Sequence, residues 1–400
     1  MSRHAPTSLR ERSHRVAELL NTRPPYSDFV ESLLRCTDPI IAPVCSRVGH
    51  DPAVHRQLSR QLVATAEATR SADAVWLLGR STAVEPWASH AARVFGIQTI
   101  LLGEDDVCQN QPNINAWVIA IADRVDALRV RRSGTIAQCL EDRLRISPAS
   151  VRIAASACDD SRTTAALLDK GAVGRYLPEE ESPDAVLDAP PGRVNVVKQW
   201  PPSPGEWLIH CTRSAAGPWP HQSSSSYLDD LLLSRGVAVG RRAIDCLVRI
   251  VRSGRLVAGM VTSQRADPVV CFAHVPLPEL LARRAYRPHL KRWDYEPFGI
   301  AIHAEIARDI GLRPVTYVDS TQHGEDVPMH LRVAAGRTYD WRREREWRHL
   351  GTLDLTALPT SGVAIFVPDQ NSLAQVESVN RLNWPTYVVD DGSAQFRADG

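Results

Sequence analysis

Between about residues 72 and 177, short apolar runs alternate with stretches whose apolar positions recur at helical spacing. The runs Ala74–Leu78, Ile97–Leu102, Trp117–Ala122, Val125–Val130, Val151–Ala155 and Val173–Leu177 read as strands. The periodic stretches Glu85–Phe95, Thr135–Leu144 and Arg162–Leu168 read as helices. Fully apolar strands that alternate with helices predict a mostly parallel sheet covered on both faces. The fold class expected here is α/β, with a Rossmann-like parallel sheet over 25–177. Residues 1–24 are polar and read as a flexible arm. Residues 27–70 read as helices, with Phe29, Leu33 and Leu34 on one helical face and Val54–Thr69 as a second amphipathic stretch.

The pattern breaks at Pro178. Glu179-Glu-Glu181 is followed by Pro183, Pro190, Pro191, Pro201, Pro202 and Pro204, so 178–205 reads as a linker. From 206 to 400 strands and helices follow less regularly, which predicts an α+β domain. Trp207–Thr212, Pro268–Ala273, Phe298–Ile302 and Pro314–Val318 are strand candidates. Ile244–Val251 and Ala304–Ile310 are helix candidates, stopped by Gly254 and Gly311. Gly362–Val367, Leu373–Val379 and Tyr387–Val389 form a closing β-α-β unit.

Composition narrows the classes. Of 400 residues 44% are hydrophobic, enough for a sizeable core, and the formal net charge of +1 gives no global pull toward nucleic acid or membrane. The 8 cysteines are scattered without a CxxC pair, which argues for thiols in a reducing compartment and a cytoplasmic protein. No run reaches the ~20 apolar residues of a spanning helix. His303 and Glu305 give HxE without PCxxC, and HExxH and GxSxG do not occur, so neither a metal nor a nucleophile elbow is expected.

Two regions carry candidate binding chemistry. Gly79-Arg80-Ser81-Thr82 lies where a strand gives way to a helix, the place at which backbone amides face an anion. These four residues are the expected nucleotide-binding turn, and Asp123, just beyond another apolar run, is placed for a ribose hydroxyl or a turn cap. In the second half, Arg283, Arg284, Arg287, His289, Lys291 and Arg292 interleave with Tyr286, Trp293 and Tyr295, a pattern suited to a nucleic-acid backbone and stacked bases.

The densest chemistry lies in Tyr339–His349. On a strand, Glu344 and Glu346 would share one face with Arg345 on the other. His210 stands inside the apolar run Trp207–Cys211, on the strand face of Leu208 and Thr212.

The order of motifs from His210 resembles the AbiGi-type abortive-infection and DarT-like proteins of the ADP-ribosyltransferase-like group. Leu208-Ile-His-Cys-Thr212, the helix Leu247–Leu256 ending in Ser-Gly-x-Leu, Val270-Cys-Phe272, Pro276-Leu-Pro-Glu279, Phe298-Gly-Ile300, Gly311–Tyr317 and Glu344–Arg348 carry the resemblance, over about 206–356. It implies a phage-defence protein that uses NAD. His210 would stand on the nicotinamide-ribose side with Thr212 beside the cofactor. Glu346 would hold the ribose 2′-hydroxyl and stabilise an oxocarbenium-like state, Glu344 would orient the acceptor, and Tyr227 would be the middle aromatic. The competing expectation is a non-enzymatic nucleotide- or nucleic-acid-binding protein that uses the Arg283–Arg292 patch, without membrane partners.

Overall fold

A computed structural model describes residues 7–107, 113–154, 161–177, 206–215, 217–233, 240–259, 267–287, 292–318, 327–334 and 341–389. The 178–205 linker therefore lies outside the described residues. The chain divides into two units, one of residues 1–181 with 216–239, the other of 182–215 with 240–400.

In the first unit, β1 (Ile40–Cys45), β2 (Val75–Gly79), β3 (Thr99–Leu102), β4 (Arg124–Arg129), β5 (Val151–Ala154) and β6 (Val173–Arg175) form one sheet in the order β3-β2-β1-β4-β5-β6. Every ladder is parallel, with Ile40 beside Val75 and Ile41 beside Arg124. This is the Rossmann order, whose direction of winding reverses between β1 and β4. The expected parallel α/β sheet is present. Among the described residues it is accompanied by the helices α1 (Leu9–Leu20), α2 (Asp28–Leu34), α3 (Pro52–Ala72), α4 (Glu85–Phe95), α5 (Ile114–Ile121), α6 (Thr135–Ile146), α7 (Ser161–Asp169) and α8 (Ser224–Leu232). One core lies under α1, α2, α5 and α6, around Val16, Val30, Trp117 and Leu140. The other lies under α3, α4 and α8, around Leu62, Trp76, Ala88 and Leu232.

Three sequence expectations are corrected here. The stretch 27–70 is not all helix, because Ile40–Cys45 is a central strand. Pro43 in its middle disguised it, since proline cannot donate to a ladder, and the strand carries a register shift at Val44/Cys45. Trp117–Ala122 is helix rather than strand: α5 is buried nearly all round, and a fully apolar run has no period to read. Within 1–24, residues 9–20 are no arm. They form α1, opened by a Ser8/Glu11 capping box. Arg12, fully buried, donates through Nε to Asp123 at 2.9 Å and reaches the Cys36 carbonyl. Arg15 reaches Asp123 and the carbonyls of Ile121 and Ala122 at the end of α5, and Arg143 joins it there, a cationic cap on that helix terminus. Asp123 also accepts from the Ile40 amide at 2.9 Å, so it is a structural anchor and not a ribose ligand.

The second unit is built on a mixed sheet, consistent with the α+β expectation. Its strands are β7 (Trp207–Cys211), β9 (Val269–Ala273), β12 (Gly299–His303), β13 (Arg313–Pro314), β16 (Glu346–Leu350), β18 (Val363–Val367) and β19 (Thr386–Val388), in the order β13-β16-β9-β7-β12-β18-β19. In this sheet only β18 and β19 run parallel; the other ladders are antiparallel. Short two-stranded ladders join β8 (Arg255–Leu256) to β17 (Leu353–Asp354), β10 (Tyr286–Arg287) to β11 (Arg292–Trp293) and β14 (Thr316–Val318) to β15 (Arg332–Ala334). The helices are α9 (Ala243–Ser253), α10 (Leu277–Ala282), α11 (Ala304–Asp309) and α12 (Gln370–Glu377). One face of the sheet buries Leu208, Phe272, Ile300 and Trp347; the other buries Ile209, Ala273, Tyr295 and Phe366. Among the described residues no helix is long and apolar enough to cross a membrane.

Candidate functional site

The register of the second sheet decides how its site residues are arranged. Glu346 stands opposite Ala273, and Ala273 opposite Ile209. Residues directly opposite on antiparallel strands share a face and neighbours alternate. Glu346 therefore shares the face of Ile209, and His210 projects from the other. The His210 ring packs against Phe272 at 5.5 Å, on the face of Trp347. The register thus sets His210 and Glu346 on opposite faces of the sheet. A one-residue offset in register is invisible in a sequence and moves a side chain across the sheet.

His210 sits in a mostly apolar setting that lowers its pKa, because burial penalises the imidazolium. Its Nδ1 is 2.9 Å from the Cys271 carbonyl. A carbonyl only accepts, so Nδ1 carries the proton and Nε2 is the acceptor. Thr212 is buried beyond the end of β7, and its hydroxyl has no hydrogen-bond partner among the described residues. Tyr227 belongs to the first unit, on α8, where its hydroxyl meets Nδ1 of His55 at 2.7 Å.

Glu344 and Glu346 do not share one strand. Glu344 ends a 3-10 turn, Trp341–Glu344, and Arg345 has a φ of 45°, the left-handed region costly for a side chain with a Cβ. Glu346 then opens β16. Its two oxygens accept from Nε and Nη2 of the fully buried Arg348 at 2.8 and 3.0 Å, a bidentate pair. Glu344 accepts from the Tyr295 hydroxyl at 2.6 Å. Burial raises its pKa against the lowering effect of that hydrogen bond, and nearby Glu346 raises it further. Glu296 is likewise raised by burial, with Arg284 3.7 Å away working against the shift.

On the outside of the same turn lies a basic cavity. Val275, Pro276, Glu279, Arg283, Arg342, Arg343 and Arg345 enclose about 320 Å³. Arg283, at the end of α10, donates to the Arg343 carbonyl at 2.9 Å and pairs with Glu279. Four arginines and one carboxylate, Glu279, thus line the cavity among the described residues. Sequence reading placed Arg283 in one basic patch and Arg342–Arg345 in another element. Their meeting is tertiary, across β9 and β16.

In the first unit, Gly79–Thr82 lies at the carboxyl end of β2, as expected of a ligand turn. Some of its polar groups are already used. The Thr82 hydroxyl donates to the Gly79 carbonyl at 2.8 Å, and the Arg80 amide donates to the Leu102 carbonyl at 2.8 Å. A Cβ on Gly79 would stand 2.8 Å from Thr82 Cγ2, so this glycine serves close packing. Arg80 and Ser81 remain exposed. The winding reverses one strand away, between β1 and β4, where α/β proteins bind ligands. The loops there carry exposed Arg47, Arg131 and Arg132. They are tied together by the Arg131 amide donating to Ser46 Oγ at 3.1 Å and the Ser46 amide donating to the Arg129 carbonyl at 2.8 Å. Sequence reasoning missed this crevice, although Arg129-Val-Arg-Arg-Ser-Gly134 ahead of a helix was a visible signal.

No protein-family model matches the chain, and no curated protein matches it. Part of it is similar to solved structures. DNA processing protein A from Streptococcus pneumoniae matches with a TM-score of 0.29 at 16% identity over 36% of this chain and 60% of that one. DNA processing protein A from Helicobacter pylori, described for its single-stranded DNA binding mode, matches with 0.29 at 17% identity over 39% and 85%. The molybdenum cofactor carrier protein from Chlamydomonas reinhardtii matches with 0.25 at 14% identity over 36% and 90%. The Rossmann order of the first sheet rests on its own ladders, not on these similarities.

Proposed function

We propose that this chain is a nucleic-acid-binding protein whose second unit grips the phosphate backbone through the Arg283–Arg342–Arg343–Arg345 cavity. The observation that carries this reading is the convergence of two basic segments, separate in sequence, on the lining of one pocket. Guanidinium forks match phosphate oxygens in charge and geometry. The side chains of Arg287, His289, Lys291 and Arg292 lie outside the described residues; Trp293, partly exposed with the Arg284 guanidinium 4.6 Å from its ring, offers a base-stacking plane. The register supports this reading over the transferase alternative, because it puts His210 and Glu346 on opposite faces of the sheet.

A titration of labelled single-stranded DNA and RNA oligonucleotides across a salt series tests the reading. Each phosphate bound contributes about 0.7 to the slope of log affinity against log salt for single strands. Arg342→Gln with Arg345→Gln should flatten the slope by about 1.4, because two phosphates then go without a cationic partner. An unchanged slope in the double variant would sink the proposal.

A second reading concerns the first unit. The arginine-bearing loops at the β1/β4 reversal suit a nucleotide, NAD among them, with its phosphates on Arg47, Arg131 and Arg132. Equilibrium dialysis with labelled NAD and ATP tests it, and Arg131→Gln with Arg132→Gln should remove any binding seen.

A further inference from the structure

The α3 side of the first sheet carries an unusual charge arrangement over β4, β5 and β6. Asp126, almost fully buried on β4, accepts from Arg124 Nε at 2.9 Å, from Arg124 Nη2 at 3.1 Å and from Arg175 Nη2 at 2.9 Å. Arg175 Nη1 donates to the Thr65 hydroxyl of α3 at 2.8 Å. Arg152 stands beside Asp126 in register, half-buried, with no hydrogen bond or ion pair among the described residues. Three guanidiniums therefore share one carboxylate that Arg124 and Arg175 already occupy. An uncompensated cation of this kind is costly unless an anion joins it.

A second observation points the same way. Gln61 is 1% exposed, and neither end of its amide has a partner among the described residues. It lies one helical turn before Thr65 on α3, on the flank that meets Arg175. A buried amide without partners is rare enough to require a reason. Val173, in register with Arg152, is 41% exposed, while α7 covers the opposite face, where a Cβ on Gly174 would meet Leu168.

We propose that this face is an anion site distinct from the β1/β4 crevice, in which Arg124, Arg152 and Arg175 together with Gln61 take a phosphate-bearing small molecule. The forks of Arg124 and Arg175 are fixed by Asp126, so they are held in place before the ligand arrives, and Arg152 supplies a whole fork. The chemistry required is a compact anion with several acceptor oxygens. A carboxylate would satisfy fewer of these donors.

Calorimetric titration of inorganic phosphate into the full chain tests this, in a background carrying Arg342→Gln and Arg345→Gln to silence the cavity of the second unit. Arg152→Gln should weaken phosphate binding at least tenfold, and Gln61→Met should weaken it severalfold, with thermal midpoints in the absence of phosphate no lower than the parent's, since each change removes an uncompensated group. Neither residue takes part in the Asp126 ion pairs, so both variants should fold. Absence of phosphate binding in the background protein, or an affinity that Arg152→Gln leaves unchanged, overturns the proposal. So does loss of binding in Arg131→Gln alone, which assigns the phosphate to the β1/β4 crevice.

Discussion

The Tyr227 hydroxyl donates to Nδ1 of His55 across 2.7 Å, and Nε2 of the same ring donates to the Gly49 carbonyl at 2.9 Å. The imidazole thereby links α8 to the loop after β1. His90 and Asp229, 2.8 Å apart, make a second attachment of α8 to the sheet unit. In sequence α8 lies between β7 and α9, both of the second unit, so a helix lodged in the first is bracketed by chain of the second. Tyr227→Phe removes the hydroxyl and leaves a buried imidazole acceptor unpaired. The expected loss is about 1–3 kcal/mol. Urea unfolding should register it, and amide exchange in α8 should accelerate. A variant as stable as the parent would make the contact incidental.

Acid should destabilise the protein through its histidines. Burial lowers the pKa of both His55 and His210 in the folded chain. Below the ordinary value of about 6.5 the unfolded chain takes up protons that the folded chain refuses, so stability rises with pH through that window. Their contribution is complete above about 6.5 and is lost as pH falls through the folded values. The raised carboxyls Glu344 and Glu296 act oppositely, favouring the folded state at low pH and giving that up as pH rises through their folded values. Thermal midpoints should therefore drop from about pH 7.5 to about pH 5.5, a span that brackets the ordinary histidine value. His55→Gln should shrink the drop; if the drop is the same size in that variant, His55 is not its source.

Much of the first sheet was legible in the sequence because parallel strands are apolar on both faces and announce themselves as runs. What was hidden depended on distant partners. Arg12 and Arg15 read as surface residues of an arm, since nothing local reveals Asp123, which is their partner from the far end of α5. Pro43 masked a central strand, and the apolar α5 had no polar face to give a period. In the second half the strands carrying His210 and Glu346 were legible, but their relative register was not. Neither was the closure of Arg283 over Arg343.

The N-terminal helix should prove essential to the first unit. Arg12 serves Asp123 and the carbonyls of Leu33, Leu34, Cys36 and Asp38 with one side chain. Arg12→Met keeps much of the volume and removes every donor, leaving those carbonyls and much of the Asp123 charge uncompensated in the core. Breaking a buried pair from one side costs about 3–5 kcal/mol. Chemical denaturation should show a loss of that order. A change below about 1 kcal/mol, the range of a surface ion pair, would return α1 to the status of an appended arm.

Glu344 and Glu346 differ by two positions and should respond oppositely to neutralisation. Glu346 compensates Arg348, whose side chain is fully buried while that of Glu346 is 17% exposed. Glu346→Gln leaves that guanidinium without its counter-charge, at a cost of about 3–5 kcal/mol. Glu344 is the reverse case, because burial already disfavours its charged form. Gln in its place keeps an oxygen that can accept from the Tyr295 hydroxyl and removes a desolvated charge. Glu344→Gln should therefore be neutral or mildly stabilising, most of all above the folded pKa of Glu344, where the parent carries the charge. Stability curves of both variants at about pH 5 and about pH 8, on either side of a raised carboxyl, separate the roles. If Glu346→Gln unfolds like the parent, Arg348 has another counter-charge and the ion pair is not what holds β16 in register. If Glu344→Gln is strongly destabilising at the higher pH, the carboxylate there is compensated by charges that the burial argument leaves out.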